Sequence, residues 1–451
     1  MNKKSSLICI ISVMLISMFT KIISMSSRII MSRELGIEAV SIYSLINPMF
    51  VFLITLATFS LPTTIATLVS RNPQKAKKIF LSALIIGGIL NLIFIVIIAF
   101  LDNFIAETLL HNINTLYSIK LLTLVVPLTT ISSIIKGYYM GKNELVLTSS
   151  SSLIEECSRL ISAVCLIGLF SNYTNDIKAT FFILVMIIGE IFQTSYLLIS
   201  SGTKYLKNIA KIRDIFNIDK SSINDVFSLS FPLTLSRIVT SFTFMIEPII
   251  LTNILINQGL NSEQITLDYG VISSYVMPLL LFPGFFSLAI GNFLLPNLSS
   301  LIGQKKYAEG EKLFYKLLLF TFIIGLFFSV FFFFFGDKAI EIVYQVQYGT
   351  KEIKLLAIPF LIYYIETPIN TAMHALNQSK VAFKASLLSS FVRISLLIVL
   401  TKFFDVFAVA LSTLASCYLD VLINYLTINS FFKRHHKKST LQPLAKKDLT
   451  R

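Results

Sequence analysis

Residues 60–80 read SLPTTIATLVSRNPQKAKKIF and residues 294–314 read LLPNLSSLIGQKKYAEGEKLF. Laid over each other at an offset of 234, they align Pro62 with Pro296, Lys78 with Lys312 and Phe80 with Phe314, and the same offset carries Arg159 onto Arg393. Each stretch leads from the end of an apolar run, past a proline, through a short basic amphipathic segment expected to lie along the membrane surface, and into the next apolar run. A pattern repeated half a chain later in the same direction predicts two parallel repeats related by an axis along the membrane normal. That is a transporter architecture, with substrate held between the halves.

The surrounding composition supports this reading. Of 451 residues, 55% are hydrophobic and 14% charged, with a mean hydropathy of +0.78; soluble domains carry about 25% charged residues. The apolar residues gather in runs long enough to cross a hydrocarbon core of about 30 Å as helices. The expected fold is an all-α polytopic membrane protein of about twelve spans, at 7–31, 41–61, 79–101, 119–140, 146–170, 178–200, 226–256, 270–295, 314–335, 354–376, 381–401 and 406–431. The corresponding domains are an N-terminal six-helix lobe (1–200), a polar linker (201–225), a C-terminal six-helix lobe (226–432) and a basic tail (433–451).

The net charge of +14 does not point to nucleic acid, because the 38 lysines and arginines cluster in alternate loops without interleaved aromatics. That asymmetry predicts both termini in the cytoplasm, a multi-pass plasma-membrane location and contact with anionic lipids. The protein is expected to be a monomer. Cys9, Cys157, Cys165 and Cys417 lie within apolar runs with no CxxC spacing, as reduced packing residues do. No HExxH, GxxxxGK[ST] or GxSxG motif is present, so the expectation is a non-enzyme with no metal and no cofactor, driven by Na⁺, protons or the substrate's own gradient.

Charges inside spans are costly and mark the candidate site. Lys21, Ser24 and Arg28 form one stripe on the first span, and Thr234, Arg237 and Ser241 do the same on the seventh. Lys21, Ser24, Arg28 and Arg237 are the candidate substrate-binding residues. Glu155 and Arg159, at i and i+4, form a structural ion pair or line a cavity, and Arg393 is read in the same way. Lys136, near a span end, is expected to snorkel. Glu247 before Pro248, and Glu366 two residues before Pro368, sit where a helix is expected to break and are the candidates for binding a coupling ion; structural pairing with Arg237 or Arg393 is the alternative.

The runs Thr20 to Phe50 (TKIISMSSRIIMSRELGIEAVSIYSLINPMF), Pro127 to Glu144, Ile154 to Leu160 and Leu267 to Ser299 resemble the stage V sporulation protein B branch of the polysaccharide flippases, within the superfamily of multidrug, oligosaccharidyl-lipid and polysaccharide exporters. The resemblance implies two six-helix lobes around a cavity that alternates between the membrane faces and moves an undecaprenyl-pyrophosphate-linked sugar precursor outwards. It also implies that cations on the first span engage the pyrophosphate, a pattern that Lys21 and Arg28 match. The alternative class is a cation-coupled multidrug exporter of the same superfamily.

Overall fold

A computed structural model describes residues 3–170, 172–200 and 220–447. Every regular element among them is helical, as it must be where a lipid environment offers backbone groups no partner outside the chain. The principal helices are α1 (Lys3–Leu35), α2 (Ile37–Thr58), α3 (Leu61–Arg71), α4 (Ala76–Asn103), α5 (Leu116–Gly141), α6 (Leu145–Phe170), α7 (Asn175–Ser200) and α8 (Lys220–Asn257). They continue as α9 (Ser262–Gly270), α10 (Met277–Leu281), α11 (Gly284–Gly303), α12 (Tyr307–Tyr344), α13 (Thr350–Ala357), α14 (Leu361–Ala375), α15 (Ser379–Phe404) and α16 (Ala408–Lys447).

Nine helical stretches among the described residues are long and apolar enough to cross a membrane, and α13 with α14, bent by 53°, makes a tenth. One of the nine, Ser379–His435, contains α15 and α16 packed along each other around a turn at Asp405–Phe407, and so accounts for two crossings. The 26-residue α6 is also long enough to cross, but carries Glu155, Glu156 and Arg159 in its middle. These helices overlap the twelve runs read from the sequence, except that the eighth run, 270–295, is divided among a π-helical turn at Val271–Val276, α10 and the first part of α11.

The repeat is visible in the helix ends. Shifted by 234 residues, α5 falls on 350–375, the extent of α13 plus α14, and α6 falls on 379–404, the extent of α15. Shifted likewise, the start of α7 falls one residue from the start of α16.

The chain divides into two compact units, Met1–Val271 and Ile272–Arg451. In the first, α1 packs along α6, α5 along α7, and α2 along α8 and α9. The helix α8, read from the sequence as the start of the C-terminal lobe, thus packs with the first repeat. Hydrogen bonds hold α8 and the following α9 there: His111 Nε2 to Asn253 Oδ1 of α8 (3.0 Å), and, from α9, Asn112 Nδ2 to Thr266 Oγ1 (3.1 Å) and the Ser262 hydroxyl to the His111 carbonyl (2.5 Å). Residues 201–219 of the expected linker and 448–451 of the expected tail lie outside the described residues. In the second unit α11 packs on α14, α14 on α16 and α12 on α13 and α14. Cys157, Cys165 and Cys417 are free thiols, whereas the side chain of Cys9 lies outside the described residues.

Two expectations are corrected. The segment after Pro62 does not form a separate surface helix. Phe59 and Ser60 adopt φ of 45° and 50°, and α3 then continues the span begun by α2, burying Leu61, Thr64, Ile65 and Val69. It does so because α5 offers Gly137 and Gly141, spaced as in small-xxx-small packing motifs: a Cβ on Gly137 would lie 2.6 Å from the Pro62 carbonyl oxygen, and one on Gly141 2.7 Å from Val69 Cβ. Nor do the helices break at Pro248 or Pro368; α8 and α14 run through both. A proline deletes one hydrogen bond, and in lipid keeping the remaining backbone bonds outweighs that loss. The break in the tenth span lies instead at 358–360, around Pro359.

Gly137→Ala should therefore destabilise the purified protein by about 1–3 kcal/mol, the usual cost of overpacking, because the obstructing atoms are backbone. Gly88→Ala on α4, whose added methyl meets nothing within 4 Å, should leave the melting temperature unchanged or raised. Equal melting of both variants would refute the close α3–α5 approach.

Candidate functional site

Helical periodicity brings Thr129, Ser132 and Lys136 to one face of α5, Ser152, Glu155, Glu156 and Arg159 to one side of α6, and Glu190 and Gln193 to one face of α7. These faces meet. Arg159 Nη2 pairs with Glu155 and lies 3.8 Å from Glu190 Oε1, while Nη1 lies 3.3 Å from Glu156 Oε1. Glu190 accepts from the Ser132 hydroxyl (2.7 Å) and the Thr129 hydroxyl (3.2 Å). Glu155 also accepts from Gln193 Nε2 and lies 3.6 Å from Lys136 Nζ. The four α6 and α7 side chains Glu155, Glu156, Arg159 and Glu190 are 12, 14, 16 and 6% exposed, so their charges are carried largely out of water and need one another. Room for the guanidinium comes from Gly189, where a Cβ would fall 2.6 Å from Arg159 Cγ and Nε.

The first-span stripe joins this network. Ser24 and Lys21 lie within electrostatic reach of the Glu156 carboxylate. Arg28 and Arg159 both lie within electrostatic reach of the Tyr43 hydroxyl on α2. Lys21 itself is exposed and Arg28 half-buried. The expected Glu155–Arg159 pair is present, but as part of a larger assembly. Lys136 does not snorkel, because Ser152 (3.1 Å) and Glu155 hold its ammonium within the helix packing. Sequence reading missed Ser132, Thr129 and Gln193, which carry no charge and lie on spans read for their apolar content.

On α8, Thr234 and Ser241 are buried and spend their hydroxyls on the carbonyls of Ser230 and Arg237, while Arg237 is exposed. Glu247 is buried in the same unit at 2% exposure. Glu366 belongs to the second unit, where it accepts from Cys417 Sγ (3.3 Å) and Asn370 Nδ2 (3.5 Å). Asn424 Nδ2 bonds Asn370 Oδ1 (2.8 Å) and Asp420 Oδ2 (3.1 Å), and Arg393 lies within electrostatic reach of Glu366.

At the offset of 234, Glu366 occupies the place of Ser132, Asn424 that of Glu190, Asn370 that of Lys136 and Arg393 that of Arg159. Both repeats thus place one carboxylate and one neutral polar residue at the same pair of positions, with the carboxylate on α7 in one and on α14 in the other.

Residues 9–302 match the family model described as polysaccharide biosynthesis protein. The chain is 30% identical over 424 residues to stage V sporulation protein B of Bacillus subtilis (strain 168), covering 91% of this chain and 81% of that protein. It is 24% identical to the capsular polysaccharide biosynthesis protein CapF of Staphylococcus aureus, covering 82% of this chain and 86% of that one. Among solved structures, a multidrug resistance MATE family transporter of the MOP superfamily in its outward-facing conformation superposes with a TM-score of 0.64 at 11% identity, over 95% of this chain and 96% of that one. The likeness extends the two-lobed helical transporter fold to this chain.

Proposed function

The chain belongs to the polysaccharide biosynthesis protein family, and from that premise we propose that it is a flippase for an undecaprenyl-pyrophosphate-linked sugar precursor of peptidoglycan, spore cortex or another cell-surface polysaccharide. In this reading it works in the plasma membrane with both termini cytoplasmic, as two lobes of six spans that alternate access between the membrane faces. The observation that carries the reading is the stripe on α1: exposed Lys21, with Ser24 beside it and Arg28 two turns on. A pyrophosphate that leaves bulk water needs fixed cations and hydrogen-bond donors, and this helix offers both on one face. Arg237 on α8 is a further cation exposed to the same class of ligand. Glu247 and Glu366 are the proposed sites for a coupling Na⁺ or proton, whose occupancy biases the two states.

The test is translocation of a labelled lipid-linked precursor in vesicles containing the purified protein. Lys21→Ala and Arg237→Ala should each slow translocation roughly tenfold or more, the loss of at least 1.4 kcal/mol of interaction, with insertion and melting unchanged. Normal translocation by both variants would refute the cationic assignment. Extrusion of cationic dyes with no movement of the precursor would favour the multidrug alternative.

A further inference from the structure

Within the first unit, four segments meet around a pocket of about 310 Å³: the first turn of α2 (Glu38), the α4–α5 connection (His111), the start of α7 (Asn175) and the turn between α8 and α9 (Asn261). Counted in spans from α1, all four lie on the side of the membrane opposite the N-terminus. In the proposed orientation that is the outer face.

Bonds between these segments fix the walls. The Ser262 hydroxyl donates to the His111 carbonyl and Asn112 Nδ2 to Thr266 Oγ1, while the Asn112 and Asn261 side chains accept from the backbone amides of Asn114 and Glu263. Asn253 spends its Nδ2 on the Ile249 carbonyl (2.8 Å), so its Oδ1 takes the proton of His111 Nε2, and Nδ1 is left as the acceptor of the ring. Glu38, Asn114, Asn175 and Glu263 complete the polar lining; all four are exposed, and no hydrogen bond or ion pair among the described residues uses their side chains. The lining holds no lysine or arginine, and Ile42, Ile113 and Leu267 supply its apolar part.

These residue types select a ligand class. An anion would meet two carboxylates and no cation. A metal ion needs several converging acids or imidazoles, and no group of three that could hold one occurs among the described residues. Amides, carboxylates and an imidazole acceptor suit neighbouring hydroxyls on a ring, and aliphatic side chains suit its C–H face. Ligand pockets run to about 300–1,000 Å³, so the volume here admits one ring and excludes a polyprenyl tail.

We propose that this pocket binds a neutral pyranose, giving the sugar part of an exported precursor its own site on the outer face, separate from the cationic stripe on α1. The outer placement and the precursor rest on the flippase reading; the pocket's chemistry does not.

The experiment measures, by ligand-observed NMR, binding of N-acetylglucosamine and of glucose to the full-length protein in lipid nanodiscs, with inorganic phosphate, Ca²⁺ and tetraphenylphosphonium as the competing probes. Saturable sugar binding is expected. Asn175→Ala and Glu263→Gln should each weaken it roughly fivefold or more, the worth of about one hydrogen bond, with melting unchanged. Asn114→Ala, in the α4–α5 connection, should do the same and serves if either of the others fails to fold. Absence of sugar binding by wild type, or equal binding by all folded variants, overturns the proposal. So does binding of phosphate, Ca²⁺ or tetraphenylphosphonium in place of sugar at these residues. Translocation of labelled precursor by a protein that binds no sugar would remove this site and leave the flippase reading standing; sugar binding without translocation would do the reverse.

Discussion

Arg159→Met is expected to cost about 3–5 kcal/mol of stability, the usual penalty for removing one member of a buried ionic cluster. The guanidinium is shared among Glu155, Glu156 and Glu190. Without it, three carboxylates on two packed helices keep Lys136, the Gln193 amide and the Ser132 and Thr129 hydroxyls. Methionine fills the volume, so the loss reports charge and not packing. The measurement is unfolding of the detergent-solubilised protein by denaturant. Adding Glu155→Gln and Glu190→Gln should restore much of the loss, because the strain lies in uncompensated charge. A single Arg159→Met variant as stable as wild type would show that the network is not held together through this residue.

The second large effect concerns the driving force. Glu247→Gln with Glu366→Gln should leave precursor binding intact but reduce the response of transport to imposed Na⁺ and proton gradients by roughly tenfold, about 1.4 kcal/mol of coupling. Glu366 sits among Asn370, Cys417 and Asn424-linked groups, a mixture of oxygen acceptors and a thiol in which only a carboxylate can change charge near neutral pH. Glu247 is its buried counterpart in the first unit. The readout is uptake of labelled precursor into vesicles with each gradient imposed separately. A double variant that still responds fully to both gradients would sink the assignment.

The span count and the repeat were legible because both follow from properties that accumulate along the chain: apolar runs and equal spacing. The ends of α5 and α6 reappear at 350–375 and 379–404 because a shift of one residue would turn every apolar face. Lys21, Ser24 and Arg28 were legible as a stripe, yet the packing of their helix along α6 was not, since helical periodicity fixes a face and says nothing of which helix it meets. Lys136 was misread for the same reason: its distance from a span end favoured snorkelling, and Glu155 on the next helix decided otherwise. Pro248 and Pro368 misled because a proline's local cost was taken without the neighbours that absorb it, whereas Gly137 and Gly141 carried a readable spacing whose meaning depended on α3.

Residues 116–170 and 350–404 have equal length, and each opens and closes on a helix end. An in-frame exchange of one for the other, as recombination between the two halves of the gene would produce, adds and deletes nothing and moves no loop. What such an exchange moves is side chains, among them Ser132 against Glu366, Lys136 against Asn370, Glu155 against Ser389 and Glu156 against Ser390. A duplicated half in which one copy kept its acid on α7 and the other on α14 leaves a protein with the same scaffold twice and two different charge patterns upon it. The asymmetry of the two lobes is therefore written in side chains and in the one break at 358–360, with the outer helix ends of the two segments kept in step.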